Sequence, residues 1–102
     1  MTRQSNQSEE PGPSLEGPLS VYHMISVMVD QLAAIAWQKL GLQTDPLTGK
    51  IEKDLTQAKI AIDVTTEMSR FLEPELDDED KKKTQALIRD LRMNYVEITQ
   101  KK

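Results

Sequence analysis

Cysteine is absent from this chain of 102 residues. The chain therefore cannot form disulfide bonds, use a thiolate as a nucleophile or hold zinc through sulfur. The absence of cysteine is compatible with a reducing compartment, so we expect a cytoplasmic location.

Long apolar runs and an excess of basic charge are also missing. The longest uncharged stretch, residues 17–29, is far shorter than the roughly 20 apolar residues that a membrane-spanning helix needs. The first ten residues have no apolar core, so we expect no secretory signal. Acidic residues outnumber basic ones, 17 to 13, which disfavours nucleic acid as a partner because phosphates must be neutralised by clustered cations.

Residues 1–19 differ in composition from the rest of the chain. They contain three prolines, two glycines and many polar residues, and they carry no aromatic side chain. Such a segment cannot bury enough apolar area to offset its loss of conformational entropy, which predicts a disordered tail. A short binding segment around Leu15 and Leu19 stays open as an alternative. Residues 20–102 are predicted to form one helical domain.

Three amphipathic segments predict an all-α domain of three helices. The predicted helices cover residues 21–40, 55–72 and 78–99. Each follows a residue whose side chain can accept hydrogen bonds from the first turn: Ser20, Asp54 and Asp77. Gly41 follows the first helix, where a left-handed conformation favours glycine, and Asp45-Pro46 predicts a turn in the connecting loop. The second and third helices, joined by a short connection, are expected to pack as an antiparallel hairpin.

The first predicted helix carries apolar residues on more than one side. About 80 ordered residues with four aromatic side chains can build only a small core. An exposed apolar patch of several hundred Å² would drive association, which predicts a symmetric homodimer with this helix at its centre. The alternative is a monomer in which the helical hairpin wraps the first helix. The expected interface residues are Met24, Ile25, Met28, Val29, Leu32, Ile35 and Trp37.

Asp63 interrupts an apolar run in the second predicted helix. Two arginines on the third helix, Arg89 and Arg92, are candidates to pair with it across the hairpin. Counting back from the turn places Asp63 nearer Arg89, with Arg92 about one turn further along. We expect this ion pair to set the register of the two helices and to have no catalytic role.

The polar residues that could carry chemistry lack the arrangement that catalysis needs. His23, Ser26 and Asp30 share one helix face, but a catalytic triad needs a nucleophile at a tight turn and a separate oxyanion hole. Two candidate ligands are too few for a transition metal. The acids at residues 77–80 point in different directions on a helix and pair with residues 81–83 at i,i+4 spacing. We therefore expect no enzymatic activity, cofactor, metal or small-molecule substrate.

Several residue runs together resemble a family of short bacterial proteins described as domain of unknown function 1844. The runs are Asp45-Pro46-x-Thr48-Gly49, then Asp54-Leu55-x-x-Ala58-x-x-x-Ile62-Asp63, then Leu91-Arg92-Met93-x-Tyr95-Val96-Glu97. The resemblance spans residues 21–100 and implies a small helical bacterial domain without an established activity. Among the motif residues, Asp63, Arg92 and Tyr95 are candidates for structural or interface roles. The acidic turn at residues 73–75 departs from the basic, glycine-containing turn of the family.

These observations favour a non-enzymatic helical module for protein interaction or oligomerisation. One alternative is a regulatory or nucleic-acid-associated factor that uses residues 81–83, Arg89 and Arg92. Another is peripheral membrane association through the first helix, although that helix lacks the basic face typical of such elements.

Overall fold

The computed structural model of the chain describes residues 20–100, which form three α-helices and no strand. Helix α1 covers Val21–Lys39, α2 covers Leu55–Leu72 and α3 covers Asp78–Gln100, and a short 3-10 helix, Glu73–Glu75, follows α2. The predicted all-α domain of three helices is therefore confirmed, with every helix end within one residue of its predicted position. The tail predicted for residues 1–19, with its candidate segment at Leu15 and Leu19, lies outside the described residues.

The helices begin where side-chain oxygens can satisfy the free backbone N–H groups of the first turn. Each predicted capping residue accepts a hydrogen bond from the backbone three residues ahead. The distances are 3.4 Å from His23 N to Ser20 Oγ, 3.1 Å from Gln57 N to Asp54 Oδ1 and 2.8 Å from Asp80 N to Asp77 Oδ1. Local sequence therefore sets the start of all three helices.

The loop between α1 and α2 is held by its own hydrogen bonds. Gly41 ends α1 with φ +85°, and Gly49 has φ +72°, the left-handed region that favours glycine. The carboxylate of Asp45 accepts a hydrogen bond from Leu47 N at 2.7 Å, and its carbonyl accepts one from Gly49 N at 2.7 Å. Asp45 N donates to Lys50 O at 2.8 Å. The predicted turn is thus confirmed, and it presents Leu47 to solvent with 93% of its surface exposed.

The core lies mainly between α1 and α2, and small side chains line this seam. Its buried residues are Val29, Ala33, Ala36 and Leu40 from α1, Ala58, Ala61, Ile62 and Leu72 from α2, and Leu91 from α3. Alanines on both helices allow the two backbones to approach closely. A hydrogen bond of 2.8 Å from Asp54 N to Lys39 O closes the junction between the two helices.

Helix α2 is the central element, because it packs against both of the others. Its contact with α1 is more extensive than its contact with α3, although the sequence pointed first to an α2–α3 hairpin. Helix α3 covers the core with partly buried residues, including Leu87, Tyr95 and Ile98. One side of the α1–α2 pair is left without a covering element among the described residues.

Candidate interaction surfaces

The uncovered side of the α1–α2 pair is rich in apolar side chains. We call this surface the α1–α2 apolar face; it consists of Met24, Met28, Leu32 and Ile35 from α1 and Ile60, Val64 and Phe71 from α2. Ile60 is 58% exposed and Phe71 is 67% exposed. These residues lie beside the buried stripe on each helix, because 3.6 residues per turn place them next to it on the helix surface.

A shallow groove of about 460 Å³ runs between the two helices on this face. Leu32 and Ile35 line it from α1, Ile60 and Val64 line it from α2, and Gln57 supplies the polar side chain of the lining. The lining of the groove thus has the depletion of charge that distinguishes the centre of a protein–protein interface, whereas the exposed Glu67 stands between Val64 and Phe71 on the same side of α2.

The apolar face continues from the groove onto the loop. A second hollow of about 690 Å³ shares Ile35 and Gln57 with the groove. Its other lining residues are the apolar Pro46 and Leu47 and the polar or charged Gln38, Lys39 and Asp45. The hydrogen-bonded turn therefore places Leu47 at the end of the face.

The interface residues predicted from the sequence differ in how far they are exposed to solvent. Met24, Met28 and Ile35 are exposed, and Ile25 and Leu32 are partly buried. Val29 is 4% exposed, so it belongs to the core of its own chain and is not available to a second one. Trp37 is partly buried and packs against the same core.

Sequence reasoning missed the contribution of α2 to this face. Ile60, Val64 and Phe71 follow a helical spacing of four and seven residues, which is a signal for a second apolar stripe beside the inward one. The inward stripe alone accounts for the packing of α2 in a helical hairpin, so the second stripe was not predicted to have a role.

Two of the three residues predicted to form an ion pair, Asp63 and Arg92, meet between α2 and α3. Arg92 Nη2 lies 3.8 Å from Asp63 Oδ1 and donates a hydrogen bond to Thr66 Oγ1 at 3.1 Å. Lys59 Nζ donates to Asp63 Oδ2 at 2.8 Å. Arg89 is not part of this cluster, because its Nε lies 3.7 Å from the carboxylate of its neighbour Asp90.

The expectation that Asp63 lies nearer Arg89 was therefore wrong by about one helical turn. Glu73, directly after α2, accepts a hydrogen bond at 3.4 Å from Gln85, which lies two turns into α3. The two helices are thus offset along their length. Counting evenly from the connecting turn cannot detect such an offset.

A cleft of about 450 Å³ opens between α2 and α3 at this cluster. We call it the α2–α3 cleft; it is lined by Lys59, Ile62, Asp63, Arg92, Tyr95 and Val96. The hydrogen bond and the negative charge of Asp63 raise the pKa of Lys59 above its ordinary value of 10.5, because both favour the charged form of the ammonium group.

No hydrogen bond joins the side chains of His23, Ser26 and Asp30 in the described part of the chain. His23 and Ser26 are partly buried and Asp30 is exposed, and the hydrogen bond at His23 comes from its backbone N–H. Between residues 20 and 100, no three His, Asp or Glu side chains are close enough to bind a metal ion. In the acidic start of α3, Glu79 lies 4.0 Å from Lys83. None of the three described helices combines the length and the apolar character required to cross a bilayer.

Comparison with known proteins places most of the chain in a protein family. A family model described as Domain of unknown function (DUF1844) matches residues 22–97. No curated protein and no solved structure matches the chain. The matched range extends from the first turn of α1 to the last turn of α3, and so it includes both surfaces.

Proposed function

The chain belongs to the family described as domain of unknown function 1844, and we propose that it is a non-enzymatic, cytoplasmic helical module that forms a homodimer through the α1–α2 apolar face. The family match confirms the resemblance that the motif residues indicated, and its description names no activity. The proposal therefore depends on one observation, the exposed apolar face.

The size and composition of the face favour association. Several of its large apolar side chains are 40% or more exposed on one side of the α1–α2 pair, and clustered exposed apolar surface marks protein contacts. Two copies could cover this patch with one symmetric contact, in which the same surface is used by both chains. The loop with Leu47 extends the patch toward the roughly 800 Å² per partner that a stable interface of standard size buries.

A small core adds a second reason for a partner. Four of the eight buried apolar residues at the α1–α2 seam are alanines, and each alanine contributes little apolar area. The larger apolar side chains lie on the outer face. Their burial by a second chain would stabilise the fold, since each Å² of buried apolar area contributes roughly 25 cal/mol.

The alternative of nucleic-acid binding draws less support from the geometry. Arg89, Arg92 and Lys83 each lie within 4.0 Å of a carboxylate. Each of these cations stands beside an acid, so together they do not form the clustered basic surface that neutralises a phosphate backbone. Membrane binding through α1 draws equally little support, because Lys39 is the one basic side chain among its residues other than His23.

Mass measurements on matched variants test the proposal. We expect multi-angle light scattering to give the mass of two chains for the wild type at micromolar concentration. A Met28→Lys, Ile60→Lys double variant should give the mass of one chain, since two lysines facing two lysines cannot be buried without partners. Met93 is an exposed methionine of α3, away from the face, so Met93→Lys should keep the dimer.

Circular dichroism should show that both variants remain as helical as the wild type. A wild type that stays monomeric at every concentration would refute the proposed dimer, and so would a double variant that keeps the mass of the wild type.

A further inference from the structure

The α2–α3 cleft is separate from the proposed dimer face. Ile62 and Asp63 lie on the side of α2 that faces α3, whereas Ile60 and Val64 lie on the side that borders the groove with α1. A ligand in the cleft would therefore leave the apolar face free. The two surfaces can be tested independently.

The cleft carries local positive charge in a chain whose net charge is −4. The two cations Lys59 and Arg92 meet a single carboxylate, that of Asp63. Among the described residues, Lys59 donates one hydrogen bond to Asp63, and Arg92 donates one to Thr66. An ammonium group has three N–H donors and a guanidinium group has five. Both groups thus have donors left for a further acceptor.

Apolar and aromatic surface lies beside these donors. Ile62 forms part of the buried core, and Tyr95 and Val96 line the cleft from α3. The cleft is open to solvent, so a side chain of a partner can reach both the donors and the apolar wall. It combines spare cationic donors with a neighbouring apolar wall, which is the chemistry that recognises a carboxylate next to an apolar group.

We propose that the α2–α3 cleft binds an acidic segment of a partner protein in which an Asp or Glu stands next to a large aliphatic residue. The carboxylate of the segment accepts hydrogen bonds from Lys59 and Arg92, and the aliphatic side chain lies against Tyr95 and Val96. Together with the dimer face, the cleft would make each assembled pair a bivalent platform for such segments.

Nuclear magnetic resonance titration of the full-length chain tests this inference. The probes are two capped hexapeptides, Gly-Ser-Leu-Glu-Ser-Gly and its twin with Gln in place of Glu. We expect the Glu peptide to shift the backbone resonances of Ile62, Tyr95 and Val96, and to bind about tenfold more tightly than the Gln peptide, because a charge-assisted hydrogen bond is stronger than a neutral one.

Variants of the chain distinguish binding in the cleft from nonspecific attraction of the peptide to basic residues. Arg92→Gln should abolish the preference for the Glu peptide, and Arg92→Lys should restore part of it. Lys83→Gln removes a cation of the same helix outside the cleft and should leave the preference unchanged. The dimer-face variant Met28→Lys, Ile60→Lys should bind the Glu peptide as well as the wild type does, even if the dimer proposal fails.

Three outcomes would overturn the inference. The first is equal binding of the two peptides, and the second is a set of shifts that avoids the cleft residues. The third is tighter binding of a synthetic peptide of residues 1–19, which contains Leu15-Glu16, than of the Glu hexapeptide. That result would assign the cleft to the chain's own N-terminal segment and leave no role for a partner protein.

Discussion

Arg92 on α3 lies against Asp63 on α2, with 3.8 Å between Nη2 and Oδ1, and the same nitrogen donates a hydrogen bond to Thr66 at 3.1 Å. These contacts form a polar link between α2 and α3. Because Lys59 shares the carboxylate, Asp63 connects neighbouring turns of α2 as well as the two helices.

The strength of this link can be measured with a double-mutant cycle. The side chains of Asp63 and Arg92 are 46% and 51% exposed, so solvent screens their attraction and we expect a coupling energy below about 1 kcal/mol. Asp63→Ala should lower Tm by a few degrees, since roughly 1 kcal/mol corresponds to 4–8 °C in a domain of this size. Glu67→Ala, which removes a pair within α2, serves as the control. An unchanged Tm for Asp63→Ala would contradict a stabilising role.

Stability should respond to pH through Lys59. The pKa of Lys59 is raised above 10.5 in the folded protein, chiefly by its hydrogen bond to Asp63. A raised pKa means that its stabilising contribution is complete below pH 10.5 and is lost as the pH rises through the folded-state value. Urea unfolding between about pH 8 and pH 11.5 should show this loss in the wild type and not in Lys59→Gln. Parallel pH curves for the two proteins would contradict the assignment.

Thr65 offers a substitution that should stabilise the fold. Its side chain is buried, and its Oγ1 has no hydrogen-bond partner in the described part of the chain. Thr65→Val keeps the shape and removes the cost of the unsatisfied hydroxyl, so we expect a gain of about 1 kcal/mol in the free energy of unfolding. Ser69 is the control, because its hydroxyl bonds to Thr65 O at 2.8 Å and Ser69→Ala should bring no such gain. Thermal unfolding measures both; a lower Tm for Thr65→Val would contradict the prediction.

Leu47 should affect association without affecting the fold of one chain. Its side chain is almost fully exposed at the end of the apolar face, so replacing it removes no intramolecular packing. Leu47→Ser is expected to weaken the proposed dimer roughly tenfold, a fraction of the transfer free energy of a leucine side chain. Sedimentation equilibrium measures the change, with Met93→Ser as an exposed control outside the face. If both variants associate equally well, Leu47 lies outside the contact.

Local sequence alone determined the helices of this protein. Ser20, Asp54 and Asp77 begin them, and Gly41 and Pro74 stand where α1 and α2 end. These features act over a few residues along the chain, through capping hydrogen bonds and backbone conformations that particular residue types favour. The starts and ends of the helices could therefore be predicted from the sequence without knowledge of the packing.

Tertiary packing decided which apolar and charged residues meet. Val29 lies one residue from Met28, yet packing buries the first in the core and leaves the second on the outer face. The offset between α2 and α3 likewise brings Arg92 to Asp63 and leaves Arg89 beside Asp90. A helix pattern specifies the directions of side chains around one axis, but the rotation and shift of one helix against another depend on how all the facing side chains fit together. For that reason, the part of α2 in the apolar face and the pairing of Asp63 with Arg92 rather than Arg89 became visible only in the folded chain.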